Sequence, residues 1–238
     1  MDMHGQRVVV VGGTSGIGLA VAQAAAGRGA DVVVASARQA SVDKALARLG
    51  SRASGETLAV TDADAAARFF DRVGPLDHVV YTAGEALTLM PVAEFHLERA
   101  LTFFRTRYFG ALTVVHAAAP RLRPGGSITL TSGSAAQRPG PGWAVAASVC
   151  GAMNALTRAL AVELAPVRVN AVAPGVVRSP LWSGMTDTER EALYEGGRSL
   201  PVGRVGEVDD VAAAYLYCMG QPYGTGTVVP VDGGALLI

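Results

Sequence analysis

The segment Gly12-Gly13-Thr14-Ser15-Gly16-Ile17-Gly18 points most directly to chemistry. It follows the Val-rich run Arg7 to Val11 and precedes an Ala/Leu-rich stretch. Residues without Cβ atoms let a turn approach a pyrophosphate, and the N-terminus of the following helix favours its negative charge. The competing reading is a tight strand-to-helix connection that binds nothing. Other candidates are Ser36 and Arg38 after a second Val-rich run, Arg107, the pair Ser132 and Ser134, and Cys150. His4, His78, His96 and His116 fall in no cluster with metal-ligand spacing, so no metal is expected.

These residues need elements to position them. Short Val-rich runs alternate with longer Ala/Leu-rich segments, which predicts an α/β fold. The expected architecture is a doubly wound, Rossmann-type parallel sheet of about seven strands with helices on both faces. Strands are predicted near 7–11, 31–35, 56–60, 77–82, 126–131, 168–172 and 227–231. Their continuous apolar character suits strands buried on both faces. Helices are predicted near 16–28, 41–49, 62–73, 97–120, 143–164 and 208–219, with a shorter one near 187–195. Nothing divides residues 1–238 into more than a single domain. The one long connection, Ala173 to about Val205, is expected to form a substrate lid near 176–205, because long loops in compact domains are usually functional.

The spacing Gly12-x-x-x-Gly16-x-Gly18 resembles that of the short-chain dehydrogenase/reductase superfamily. The resemblance covers nearly the whole chain. Asn170-Ala171-Val172-Ala173-Pro174-Gly175-Val176-Val177-Arg178-Ser179 is similar to that family's Pro-Gly segment beside the nicotinamide. Ala155 to Leu164 resembles its long interface helix, and Val231-Asp232-Gly233-Gly234 its C-terminal signature. The resemblance implies a dinucleotide held by Gly12, Thr14, Ser15, Gly16, Ile17, Gly18, Val60, Ala83, Gly84, Pro174, Gly175, Val177 and Ser179. It also implies a homodimer or homotetramer and a small-molecule substrate.

The end of the second strand selects the cofactor. NAD-binding members place an acid there for the ribose hydroxyls, whereas a 2′-phosphate calls for a cation. Ala35-Ser36-Ala37-Arg38 offers no acid, but a hydroxyl and a guanidinium whose planar fork suits phosphate. NADP(H) is therefore expected, the competing reading being a solvated surface arginine. Two positions depart from the family: Tyr81-Thr82-Ala83-Gly84 replaces its Asn-Asn-Ala-Gly, and Ala59 precedes Val60 where an acid often stands.

The family's Asn, Ser, Tyr and Lys are all missing. With the register set by Gly151 to Thr157, they fall on Arg107, Gly133, Ala146 and Cys150. The only lysine is Lys44, in the second β-α unit, so no Tyr–Lys pair exists on the later helix in any register. General acid–base assistance contributes on the order of 10²–10⁴ in rate. Its loss makes alcohol oxidation implausible and favours substrates that are already electrophilic. Arg107 is the leading catalytic candidate, because a cation there stabilises a developing oxyanion or enolate. An ion pair or subunit contact is its competing reading. Ser132 and Ser134 flank the lost serine, although strand-end turn chemistry explains them equally. Tyr194 on the lid is a further phenol, and His116, nine residues beyond Arg107, is a poor partner for it. The expectation is an atypical NADP(H)-dependent reductase of an activated carbonyl or conjugated C=C compound. The alternative is a non-redox NADP(H)-binding protein on the same scaffold, either a cofactor sensor or a cyclase/isomerase.

Composition narrows the classes further. The formal net charge is zero and no basic run stands out, so neither nucleic acid nor a membrane surface is expected as a partner. The N-terminal segment lacks the pattern of a secretory signal, and no apolar run looks long enough to span a bilayer. Cys150 and Cys218 suggest neither a disulfide framework nor a metal site. A cytoplasmic protein is expected.

Overall fold

The structure is a computed structural model that describes residues 2–238. Val8 to Val11 explain the start of the fold. Their branched Cβ atoms favour a pleated strand, and all four are buried in β1, Arg7–Val11. The chain then alternates through α1 (Gly16–Ala26), β2 (Asp31–Ser36), α2 (Gln39–Leu49), β3 (Ala53–Thr57), α3 (Ala63–Val73) and β4 (Leu76–Tyr81). The second half contains α4 (Leu97–Phe104), α5 (Gly110–Ala118), β5 (Leu122–Thr131), α6 (Ala144–Glu163) and β6 (Arg168–Pro174). It ends with β7 (Val177–Arg178), α7 (Asp187–Glu195), β8 (Gly206–Glu207), α8 (Val208–Gly220) and β9 (Val228–Val231).

Seven strands form one sheet in the order β3-β2-β1-β4-β5-β6-β9, every pair parallel. The predicted doubly wound sheet is therefore present. Two apolar cores flank it. Phe69, Phe70, Val114, Met153 and Leu156 fill one face, while Leu19, Val21, Val211 and Tyr215 fill the other. Strand order reverses between β1 and β4, and in open α/β sheets such a switch point opens a crevice at the strands' carboxyl ends.

Three expectations need correction. The third strand is Ala53–Thr57 rather than 56–60. The apolar signal there comes from Leu58, which enters the core after the strand ends, and from Val60, which packs beneath Gly110. The helix predicted over 97–120 is broken into α4, a π-helical turn over Arg105–Phe109, and α5. Lastly, α6 is long and apolar enough to cross a membrane by length and composition. Its apolar residues have a partner in the fold, since Val149, Met153, Leu156 and Leu160 pack into the core beside β6.

Candidate active site at the switch point

The glycine turn is shaped first by its own fold. Gly12 has φ +87°, and a Cβ there would stand 2.5 Å from the Ala83 nitrogen. At Gly18 a Cβ would meet the Gly12 oxygen at 2.3 Å and Thr82 Oγ1 at 2.4 Å. Part of the glycine signature thus serves close packing of β1, α1 and the end of β4. What remains open is the N-terminus of α1. Ser15 makes no side-chain cap and no acid occupies the first turn, so its N–H groups present the partial positive charge an anion needs.

The same openness recurs after β2. Ser36 is half-buried, Arg38 is exposed, and neither side chain has a hydrogen-bond or carboxylate partner among the described residues. Arg38 also holds the N-cap position of α2, which has no side-chain cap and no acid in its first turn. A hydroxyl, a guanidinium and a helix terminus therefore follow one another over residues 36–39, none of them with a side-chain partner. Ala59 is exposed and brings no charge to this side.

Between the glycine turn and the segment after β6 lies a cavity. Ile17, Ala83, Pro174, Gly175, Val177 and Ser179 wall the side nearest the glycine turn. Leu87, Phe103, Trp143, Leu181 and Trp182 add an aromatic and aliphatic lining. A Cβ on Gly175 would stand 2.8 Å from the Asp232 Cα, which ties this segment to the C-terminal signature. The connection over 176–205 is packed and ordered by contacts. Trp182 and Tyr194 are buried with Leu87, Ala146 and Val205 in a small third core. Trp182 Nε1 donates to the Val177 oxygen at 2.8 Å, and the Leu87 N–H donates to the Leu181 oxygen at 2.8 Å. Tyr194 lies beneath the Arg178 guanidinium, 4.3 Å from its ring centre.

Among the described residues, Arg107 is the only charged side chain lining this cavity. The π-helical turn displays it, and such turns concentrate at functional positions. Tyr81, the first departure from the family's Asn-Asn, anchors that turn: its phenol donates to the Thr106 oxygen at 2.5 Å. Burial pushes the Tyr81 pKa up, so the phenol stays a hydrogen-bond donor. The Arg107 guanidinium rests on Gly84, where a Cβ would lie 2.5 Å from both Cζ and Nη1. Its other face stacks on Phe103, 4.3 Å from the ring centre. Nη2 donates to the Glu85 backbone oxygen at 2.5 Å, whereas Nε has no hydrogen-bond partner and stands 4.0 Å from the Glu85 carboxylate. Burial draws the Arg107 pKa below its ordinary value, with Glu85 opposing.

Sequence reasoning missed the anchoring role of Tyr81 and the Glu85 partnership. The first left a signal, a phenol in place of an amide; the second left none. Ser132 Oγ is occupied with α6, 2.6 Å from Asn154 Oδ1 and 3.0 Å from the Cys150 oxygen. Ser134 also lines the cavity, and its hydroxyl has no partner among the described residues. Gly133, Ala146 and Cys150, the positions that the resemblance assigns to Ser, Tyr and Lys, all line the cavity. A Cβ on Gly133 would lie 3.0 Å from Cys150 Sγ. Burial raises the Cys150 pKa to about 11, which keeps it a thiol. His116 is exposed on α5 and takes no part.

A parallel sheet with an open helix terminus and a deep cavity at its switch point defines a dinucleotide-binding α/β protein. The family model described as an SDR-like Rossmann domain matches residues 2–238, and the chain belongs to this short-chain dehydrogenase/reductase family. It is 38% identical to the short-chain dehydrogenase/reductase ATR9 of Stachybotrys chlorohalonatus, over 99% of this chain and 98% of that one. A small-chain dehydrogenase solved in complex with NADPH superposes with a TM-score of 0.86 at 37% identity, covering 98% of this chain and 99% of the other. The MalC reductase/Diels-Alderase of Malbranchea aurantiaca superposes with a TM-score of 0.91 at 32% identity, covering 99% and 98%.

Proposed function

We propose that this protein is an NADP(H)-dependent reductase of an activated carbonyl or conjugated C=C compound, and that Arg107 supplies the electrophilic assistance. The carrying observation is the placement of Arg107. Among the described residues it is the cavity's one charged side chain, held on a π-helical turn with an Nε that faces the Glu85 carboxylate and makes no hydrogen bond. The NADPH-bound relative supports the cofactor, and the free Ser36 and Arg38 fit its 2′-phosphate.

In this reading the α1 terminus, with Gly12, Thr14, Ser15, Gly16, Ile17 and Gly18, receives the pyrophosphate. Val60 borders the adenine, while Ala83, Pro174, Gly175, Val177 and Ser179 border the nicotinamide side. NADPH supplies a hydride when bound. Arg107 lines the same cavity, where its guanidinium stabilises the oxygen that gains charge as the substrate is reduced. Ser132 acts through α6 as a positioning residue, and Ser134 offers the free hydroxyl. Tyr194 is packed beneath Arg178, which leaves solvent as the proton source. Residues 176–205 form the lid over the substrate, closed by the Trp182–Tyr194 core.

The exposed apolar residues Leu97, Leu101 and Phe109 support a homodimer or homotetramer built on α4 and the following turn, joined by Val162 of α6. The test of the reading is NADPH oxidation by purified protein in the presence of an activated enone. Arg107→Ala is expected to lower turnover by about 10²-fold or more while NADPH still binds. Unchanged turnover removes Arg107 from the mechanism.

A second reading follows from the lining itself. An apolar, tryptophan-walled chamber with one cation and no proton relay suits a cyclase or isomerase that uses shape. The MalC relative, described as both reductase and Diels-Alderase, supports keeping it. Saturable NADPH binding without consumption would favour it.

A further inference from the structure

A second cavity adjoins the first. Phe103 and Ala146 line both, so the two cavities meet at one aromatic ring and one methyl group. Ala146 occupies the register position that the family resemblance assigns to a large phenol, and its side chain is a single methyl group. The second chamber has Ala86, Met90 and Val145 as its apolar lining and a polar lining that includes Glu85, Glu98, Arg99 and Thr102. A compact ketone on Arg107 would leave all of this surface in water.

We propose that the second chamber is a substrate subsite, and that the natural substrate is a two-part molecule. One part is the reducible conjugated carbonyl at Arg107. The other is an aromatic arm that passes Ala146 and lies between Phe103, Met90 and Val145. This inference rests on the reductase reading for the position of the carbonyl, while the subsite itself rests on the cavity. Burying one aromatic ring against a preformed apolar lining strengthens binding by an order of magnitude or more. The polar lining then selects arms that end in a hydrogen-bonding group.

The test compares chalcone, a conjugated ketone with aromatic arms, with cyclohexenone, which has none. Calorimetry on the protein–NADP⁺ complex reads binding without hydride transfer. Chalcone is expected to bind at least about tenfold more tightly than cyclohexenone. Thr102→Trp, at an exposed position of α4 on the chamber wall, should fill the subsite, cutting chalcone affinity by about tenfold and leaving cyclohexenone within about twofold. Val145→Phe, at a position that lines the second chamber alone, should act the same way. Absence of chalcone binding, equal affinity for the two probes, or variants that weaken both probes alike would overturn the proposal. NADPH oxidation measured in parallel separates the two claims. Chalcone preference without oxidation removes the reductase reading and keeps the subsite; oxidation without preference does the reverse.

Discussion

Gly84→Ala tests the site with one added methyl group. The new Cβ would lie 2.5 Å from Arg107 Cζ and Nη1 and 2.8 Å from Nη2, against an ordinary contact of about 3.4–4 Å. The guanidinium must therefore retreat by about 1 Å, and a misplacement of that size costs on the order of 10²-fold in rate. Global stability should change little, because the atoms that must move are the far end of a flexible side chain and Gly84 is exposed. The assay is steady-state NADPH oxidation with an activated enone, paired with calorimetric NADPH binding and a thermal melt. The expected result is a turnover loss of about 10²-fold, with NADPH affinity within about threefold of the parent. In an Arg107→Ala background the same substitution should add almost nothing, since both changes remove one interaction. Unchanged turnover would refute the argument that Gly84 exists to seat Arg107. Loss of NADPH binding in step with turnover would refute it differently, by assigning the glycine to the cofactor.

Further outcomes follow from other parts of the chain. Arg38→Ala should weaken NADPH binding by about tenfold, one charge-assisted hydrogen bond's worth at an exposed position, and leave NADH affinity almost unchanged in the same titration. His78 is buried against Ser127 Oγ at 2.8 Å, and burial lowers its pKa from 6.5 to about 4. Above pH 6.5 the ring is neutral in both folded and unfolded states, but below it only the unfolded chain takes the proton. Stability should thus fall as pH drops, by about 1.4 kcal/mol per unit between about pH 6.5 and 4. Urea unfolding of His78→Gln should show a flatter profile across that window. Gly133→Ser should destabilise by about 1 kcal/mol through its contact with Cys150 Sγ, and Cys150→Ala should relieve most of that in a thermal melt.

The frame of this site was legible because its signals are local. Valine runs mark β1, β2 and β4, and the glycine turn marks the start of α1. That Lys44 is the single lysine, and that no Tyr–Lys pair lies on α6, was equally legible. The break after Phe104 was not. A π-helical turn has no composition of its own, and this one depends on the Tyr81 phenol reaching Thr106 from a strand 25 residues away. The same holds for Arg107. Its type and register were visible, but its seat on Gly84 and its stack on Phe103 are tertiary facts. The boundary of β3 was misplaced because Leu58 and Val60 are apolar for reasons of core packing beyond the strand.

The central claim is that hydride transfer survives here without a Tyr–Lys relay. It is tested most directly with NADPH carrying deuterium at the transferable position of its nicotinamide. After incubation with an activated enone, mass spectrometry of the product should find the label on carbon, with one NADPH consumed per label. Saturable NADPH binding with unconsumed cofactor and an unlabelled enone would contradict the claim, and would leave the cavity as a chamber that works by shape.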